Sequence, residues 1–82
     1  MSRPRGNPSV DPAFTRAFSQ RFSYAIGESG LPPKAVAKDA GIGYQTVLSF
    51  MRGERVPGGW TLAKVCPVLG VTSDWLLGIE VE

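Results

Sequence analysis

Histidine is absent and cysteine occurs once, as Cys66, in a chain of 82 residues. Without histidine there is no imidazole base for a catalytic triad, and the commonest metal ligand is missing. One thiol and scattered carboxylates do not assemble a zinc site, so neither metal nor cofactor is expected. A lone cysteine also rules out an internal disulfide. No apolar run approaches the roughly 20 residues that a membrane span requires. Residues 1–8 lack the apolar stretch of a secretory signal, so a cytoplasmic location is expected. The nearest approach to a phosphate-cradling loop, Gly41-Ile42-Gly43, lacks a third glycine and any preceding strand. These gaps leave almost no material for an enzyme, and a binding function without a small-molecule ligand is expected instead.

What remains is the composition of one small globule. The length suits a single domain, and an apolar fraction of 43% is enough for a modest core. A formal net charge of +2 permits an anionic partner without requiring one. Arg3 and Arg5 stand near the start of the chain with no acid beside them. They lie in a stretch broken by Pro4, Gly6, Pro8 and Pro12, which cannot hold a helix. Residues 1–12 therefore read as a flexible arm, either a passive end or a basic arm that reaches around DNA.

Residues 13–78 carry helical periodicity. Phe14, Phe18 and Phe22 repeat every fourth position and lead to Ala25 and Ile26, one apolar stripe on a helix over 13–29. Pro32-Pro33 stops it and opens a short helix over 33–40, with Val36, Ala37 and Ala40 inward. Gly41 ends that helix, Ile42 plugs the turn, and Gly43 opens the next, over 44–52. Val47, Phe50 and Met51 form its inner face, leaving Tyr44, Gln45, Leu48, Ser49 and Arg52 largely outside. Pro57-Gly58-Gly59 reads as a loop. A fourth helix over 60–69 sets Leu62, Val65, Cys66 and Leu69 on one face, with Cys66 a packed, inert thiol. Pro67 deprives the Ala63 carbonyl of its partner and should kink or loosen the last turn. Thr72-Ser73-Asp74 caps a one-turn helix ending at Leu77, and residues 79–82 form a short tail. The expected core is Phe18, Phe22, Ala25, Ile26, Val36, Ala37, Ala40, Ile42, Val47, Phe50, Met51, Leu62, Val65, Leu69 and Trp75. The fold class is all-α, a compact five-helix bundle.

Two short helices joined by a three- or four-residue turn containing glycine, packed on other helices, follow the helix-turn-helix plan. Gly30-Leu31, Val36-Ala37, Ala40-Gly41-Ile42-Gly43, Thr46-Val47, Arg52-Gly53, Val68-Leu69-Gly70-Val71 and Ser73-Asp74-Trp75-Leu76-Leu77 together resemble the lambda-repressor-like, Cro/XRE-type DNA-binding domains. The likeness covers residues 21–78. It implies a sequence-specific regulator of transcription, such as a phage or prophage repressor, acting in a bacterial cytoplasm. Its third helix would lie in the major groove of operator DNA. Three departures stand out. Pro33 occupies a place where the family often has a phosphate-binding Gln. Ile26 and Met51 stand where many members pair Arg with Glu, an apolar substitute that need cost no stability. Tyr44 and Leu48 are unusually apolar for a groove-facing surface.

The resemblance assigns base reading to Tyr44, Gln45 and Ser49. Gln45 has an amide able to pair with adenine N6 and N7, although an ordinary solvated helix residue would look the same. Lys34, Gly43, Thr46, Arg52 and Arg55 are the expected phosphate contacts, Gly43 and Thr46 through backbone N–H groups at a helix start. Arg3 and Arg5 would add the arm. Leu76, Leu77, Ile79 and Val81 either complete the core or form the contact of a weak homodimer, made or strengthened on DNA. The rival reading is a protein-binding module on the same fold, antitoxin-like or anti-repressor-like. It would dock through Tyr44, Leu48 and the C-terminal apolar residues.

Overall fold

Residues 12–79 are described by the computed structural model of the chain. They form α1 (Pro12–Ser29), α2 (Pro33–Ala40), α3 (Tyr44–Arg52), α4 (Gly59–Leu69) and α5 (Ser73–Leu77), with no strand among them. Arg3, Arg5 and Val81, with the rest of residues 1–11 and 80–82, lie outside the described residues. Pro12, read from sequence as the end of the arm, is the first residue of α1. Its fixed φ suits a first turn, where its missing N–H has no intrahelical acceptor to lose.

The phenylalanine stripe of α1 seeds the core. Phe18 and Phe22 stack with ring centroids 5.5 Å apart, and Phe50 of α3 meets both edge-on, at 6.2 and 5.6 Å. Edge-to-face geometry places positive ring edges on negative faces, a gain beyond simple burial. Around the trio are buried Ala25, Ile26, Val36, Ala37, Ala40, Val47, Leu62, Val65, Cys66 and Leu69. Burial pushes the Cys66 thiol pKa up, because the charged thiolate is poorly solvated there.

Three residues expected in the core lie at its edge. Ile42, Met51 and Trp75 are only partly buried, although all pack against it. Ile42 sits in the turn, where one side must face out. Ile26 and Met51 thus belong to the same apolar body, the first inside and the second on its flank. The fully buried residue of α5 is Leu76, at 0% exposure, so of its two expected roles it takes the core one, and its role as a possible dimer contact is corrected. A one-turn helix has room for one side chain pointing straight into the bundle, and leucine fills it without a polar atom to satisfy. Trp75 instead packs on the rim beside Tyr24, ring centroids 6.2 Å apart.

The short helices are ended by their backbones. The Gly41 N–H donates to the Ala37 and Lys38 carbonyls, and the Ile42 N–H to Ala37 at 3.0 Å. Gly41 reaches φ 73° to do so, a left-handed conformation that other residues adopt only at a cost. Helix α4 runs through Pro67 to Leu69, and the Gly70 and Val71 N–H groups both close on Cys66 O, at 2.8 and 3.1 Å. The helix thus continues two residues past Pro67 before Gly70 ends it. The Thr72 hydroxyl accepts from the Trp75 N–H at 3.1 Å, the N-cap expected of it.

Candidate nucleic-acid interface

Helices α2 and α3 pack on each other, with α1 behind α3 and α4 behind α2. The residues 41–43 between them leave no room for a longer excursion, so the start of α3 stands beside the turn. The amphipathic pattern of α3 then decides what faces outward. Val47 and Phe50 are buried, while Tyr44, Gln45 and Arg52 are exposed. Leu48, Ser49 and Thr46 are intermediate.

The sequence-assigned readers are thereby brought onto one helix surface, with different freedoms. Gln45 is exposed and makes no side-chain hydrogen bond among the described residues. The Ser49 hydroxyl donates to the Gln45 carbonyl at 3.0 Å. Its proton is committed within the helix, leaving oxygen lone pairs as acceptors for any base contact. Tyr44 is partly covered by Lys34, whose Nζ lies 5.5 Å from the ring centroid. This cation–π contact holds an ammonium near the N-terminal end of α3. Pro33 therefore leaves a positive charge at this end after all, supplied by its neighbour. Helix α3 has no acid in its first turn, and Gly43 caps it without a side-chain hydrogen bond. The N–H groups there remain turned outward and carry the positive pole of the helix.

The other end of α3 carries Arg52, whose Nη1 donates to Glu54 Oε1 at 3.4 Å with both side chains about half exposed. Such a long, wet ion pair is weak. Arg55 is exposed in the loop that follows. At the far end of the chain, Leu77 is half-buried and Ile79 is 59% exposed. With Leu76 withdrawn into the core, Leu77 and Ile79 are what remains of the expected dimer contact among the described residues. Tyr24, 61% exposed, and Trp75 form a neighbouring aromatic pair.

Two cations escaped sequence reading. Lys64 Nζ lies 4.2 Å over the Trp60 ring, and a Cβ placed on Gly41 would be 3.5 Å from it. The ammonium thus reaches the turn between α2 and α3, where the carbonyl end of α2 attracts positive charge. The four-residue spacing of Trp60 and Lys64 was a usable signal for their pairing, but not for the approach to Gly41. Arg16, on α1, lines a groove shared with Arg52, and nothing in its local sequence marks it. Among the described residues no helix is long and apolar enough to cross a membrane. No protein-family model, curated protein or solved structure matches the chain.

Proposed function

We propose that the chain is a sequence-specific duplex-DNA-binding regulator of the helix-turn-helix type, a repressor or Cro-like protein that reads an operator through the major groove with α3. The observation that carries the reading is the outer surface of α3. Gln45 is exposed and uncommitted, and basic side chains stand at both ends, Lys34 at the start and Arg52 and Arg55 at the finish. A helix bearing a planar amide and bounded by cations matches the base edges and flanking phosphates of B-form DNA. The sequence resemblance to lambda-repressor-like domains supports the same assignment. Leu77 and Ile79 would supply a weak homodimer contact, with two α3 helices meeting successive major grooves.

Selection of bound sequences from a random duplex pool tests the reading. A consensus with mirrored half-sites is expected, with a log–log salt slope of about −5 to −7 for the dimer if roughly three or four phosphates are neutralised per chain. Gln45→Ala should lose about 1–3 kcal/mol on the selected site and relax preference at one base pair. Arg52→Ala should weaken all sequences about equally. No enrichment of any duplex, or a Gln45→Ala protein with normal folding, affinity and consensus, would sink it. The exposed Tyr24 and Ile79 favour a second reading, a protein-docking module. It would show binding to a protein partner that barely responds to salt.

A further inference from the structure

Gln45, Ser49 and Arg52 follow one another at four- and three-residue spacing, so they form a line along α3. That line runs into a groove. Past Arg52, Gly53 turns back with φ 78°, and its backbone lies against α1. A Cβ there would be 3.4 Å from Ser19 Oγ and 3.6 Å from the Thr15 carbonyl oxygen. Between the two elements is an open groove of about 220 Å³ lined by Pro12, Thr15, Arg16, Ser19, Arg52 and Gly53. Among the described residues, two that bear guanidinium groups line it and none that bears a carboxylate does. Arg16 is exposed and joins no ion pair among the described residues. Glu54 holds Arg52 only by the 3.4 Å contact open to water, which a phosphate can displace. The Ser19 hydroxyl donates to the Arg16 carbonyl at 3.0 Å, so the cations, not the hydroxyl, must hold an anion. The C-terminal pole of α3 opposes an anion, but two whole charges outweigh a fraction of one. Its last carbonyls are also covered, Phe50 by the Gly53 N–H and Ser49 by the Glu54 N–H.

We propose that Arg16 and Arg52 form a phosphate clamp between α1 and the end of α3, and that it holds a backbone phosphate of the bound duplex. The source of the phosphate rests on the DNA-binding reading above. Length supports it. From Gln45 to Arg52 the helix rises about 10 Å at ~1.5 Å per residue, and the major groove is about 12 Å wide. A helix that reads base edges at its start therefore delivers its end to a flanking strand. Guanidinium groups suit that anion because their planar forks match phosphate oxygens. Helix α1, outside the two-helix unit, thereby fixes the angle at which α3 docks.

The test uses the duplex selected by the full chain, with one backbone phosphate at a time replaced by neutral methylphosphonate. Arg16→Gln should weaken binding to the unmodified duplex about 3- to 10-fold near 0.1 M salt and flatten the salt slope by up to about 1 per bound chain. One methylphosphonate position per half-site should weaken the parent protein, weaken Arg16→Gln and Arg52→Gln less at that same position because each keeps one of the two cations, and leave the double variant unaffected. Arg16→Lys should recover most of the affinity, while helical content and melting stay unchanged in every variant. Arg16→Gln binding like the parent at all positions overturns the clamp. Reduced sensitivity of Arg16→Gln and Arg52→Gln at different positions overturns the sharing of one phosphate. Inorganic phosphate added to the protein alone separates the two readings. Shifts of the Arg16, Ser19 and Gly53 amides in a chain that selects no duplex would support a groove for free phosphate while the DNA reading fails. No shifts and no duplex would remove both.

Discussion

Leu76→Ala decides whether the end of the chain belongs to the core or to an interface. Leu76 is 0% exposed, and α5 packs on both α1 and α4. Truncation to alanine removes three carbon atoms from that contact, about 2.4 kcal/mol at ~0.8 kcal/mol per buried group. A cavity term adds to this, and buried leucines typically lose about 2.7–5 kcal/mol in all. A one-turn helix collapses more readily than the middle of a long one, so a value near 3 kcal/mol is expected. For a domain of this size each kcal/mol moves Tm by about 4–8 °C, giving a fall of roughly 12–24 °C. Ile79, 59% exposed, is the internal control, and Ile79→Ala should stay within about 0.5 kcal/mol. Thermal and urea unfolding followed by circular dichroism measure both, with sedimentation run well below the melting point. The assignment fails if Leu76→Ala costs no more than Ile79→Ala. It fails equally if Leu76→Ala leaves Tm unmoved while abolishing self-association.

Gly53→Ala should cost about 1–2 kcal/mol, because φ 78° is left-handed and penalises a Cβ by that amount. Gly58→Ala, at φ −77° with nothing within 4 Å of the new Cβ, should fall within about 0.5 kcal/mol in the same urea titrations. Cys66 should react with alkylating reagents far more slowly in the folded chain than in urea, since burial raises its pKa and only the thiolate is nucleophilic. The same shift fixes a pH dependence. The unfolded chain loses its thiol proton first as pH rises, so this contribution is complete below the ordinary thiol range and declines above it. Cys66→Ala should flatten that alkaline decline, measured as urea midpoint against pH.

The helices were legible because glycine and proline punctuate them. Pro33, Gly41, Gly53, Gly70 and Gly78 stand at ends where φ or a missing N–H decides the matter. The stripe from Phe18 to Ile26 was legible because a long helix repeats its period several times. Helix α5 repeats nothing in one turn, so periodicity could not choose between Trp75 and Leu76. The contacts of Lys64 with the turn at Gly41, and of Arg16 with the groove beyond Arg52, were hidden for another reason. They join residues distant in sequence, and the packing of whole helices sets them. Local pattern identified which face of α3 is outside, but not which charges other helices bring to its ends.

That distinction bears on how a chain with a net charge of only +2 would hold a polyanion. Phosphates within a Debye length, about 8–10 Å at physiological salt, respond to nearby charges and little to the total. The relevant cations are Lys34 over Tyr44, Lys64 beside the turn, and Arg16 and Arg52 around the groove. They come from α2, α4, α1 and α3, so the field along the outer face of α3 exists only in the folded chain. Among the described residues Glu54 is the acid that pairs with one of them, and its contact with Arg52 is long and wet. On the DNA reading, removing Glu54 should therefore strengthen binding and steepen its salt dependence. Glu28 lies twelve residues beyond Arg16 on α1 and joins no ion pair among the described residues; removing it changes net charge equally and should do neither. Equal gains from Glu54→Gln and Glu28→Gln would mean that total charge governs the interaction, and the local arrangement would lose its explanatory role.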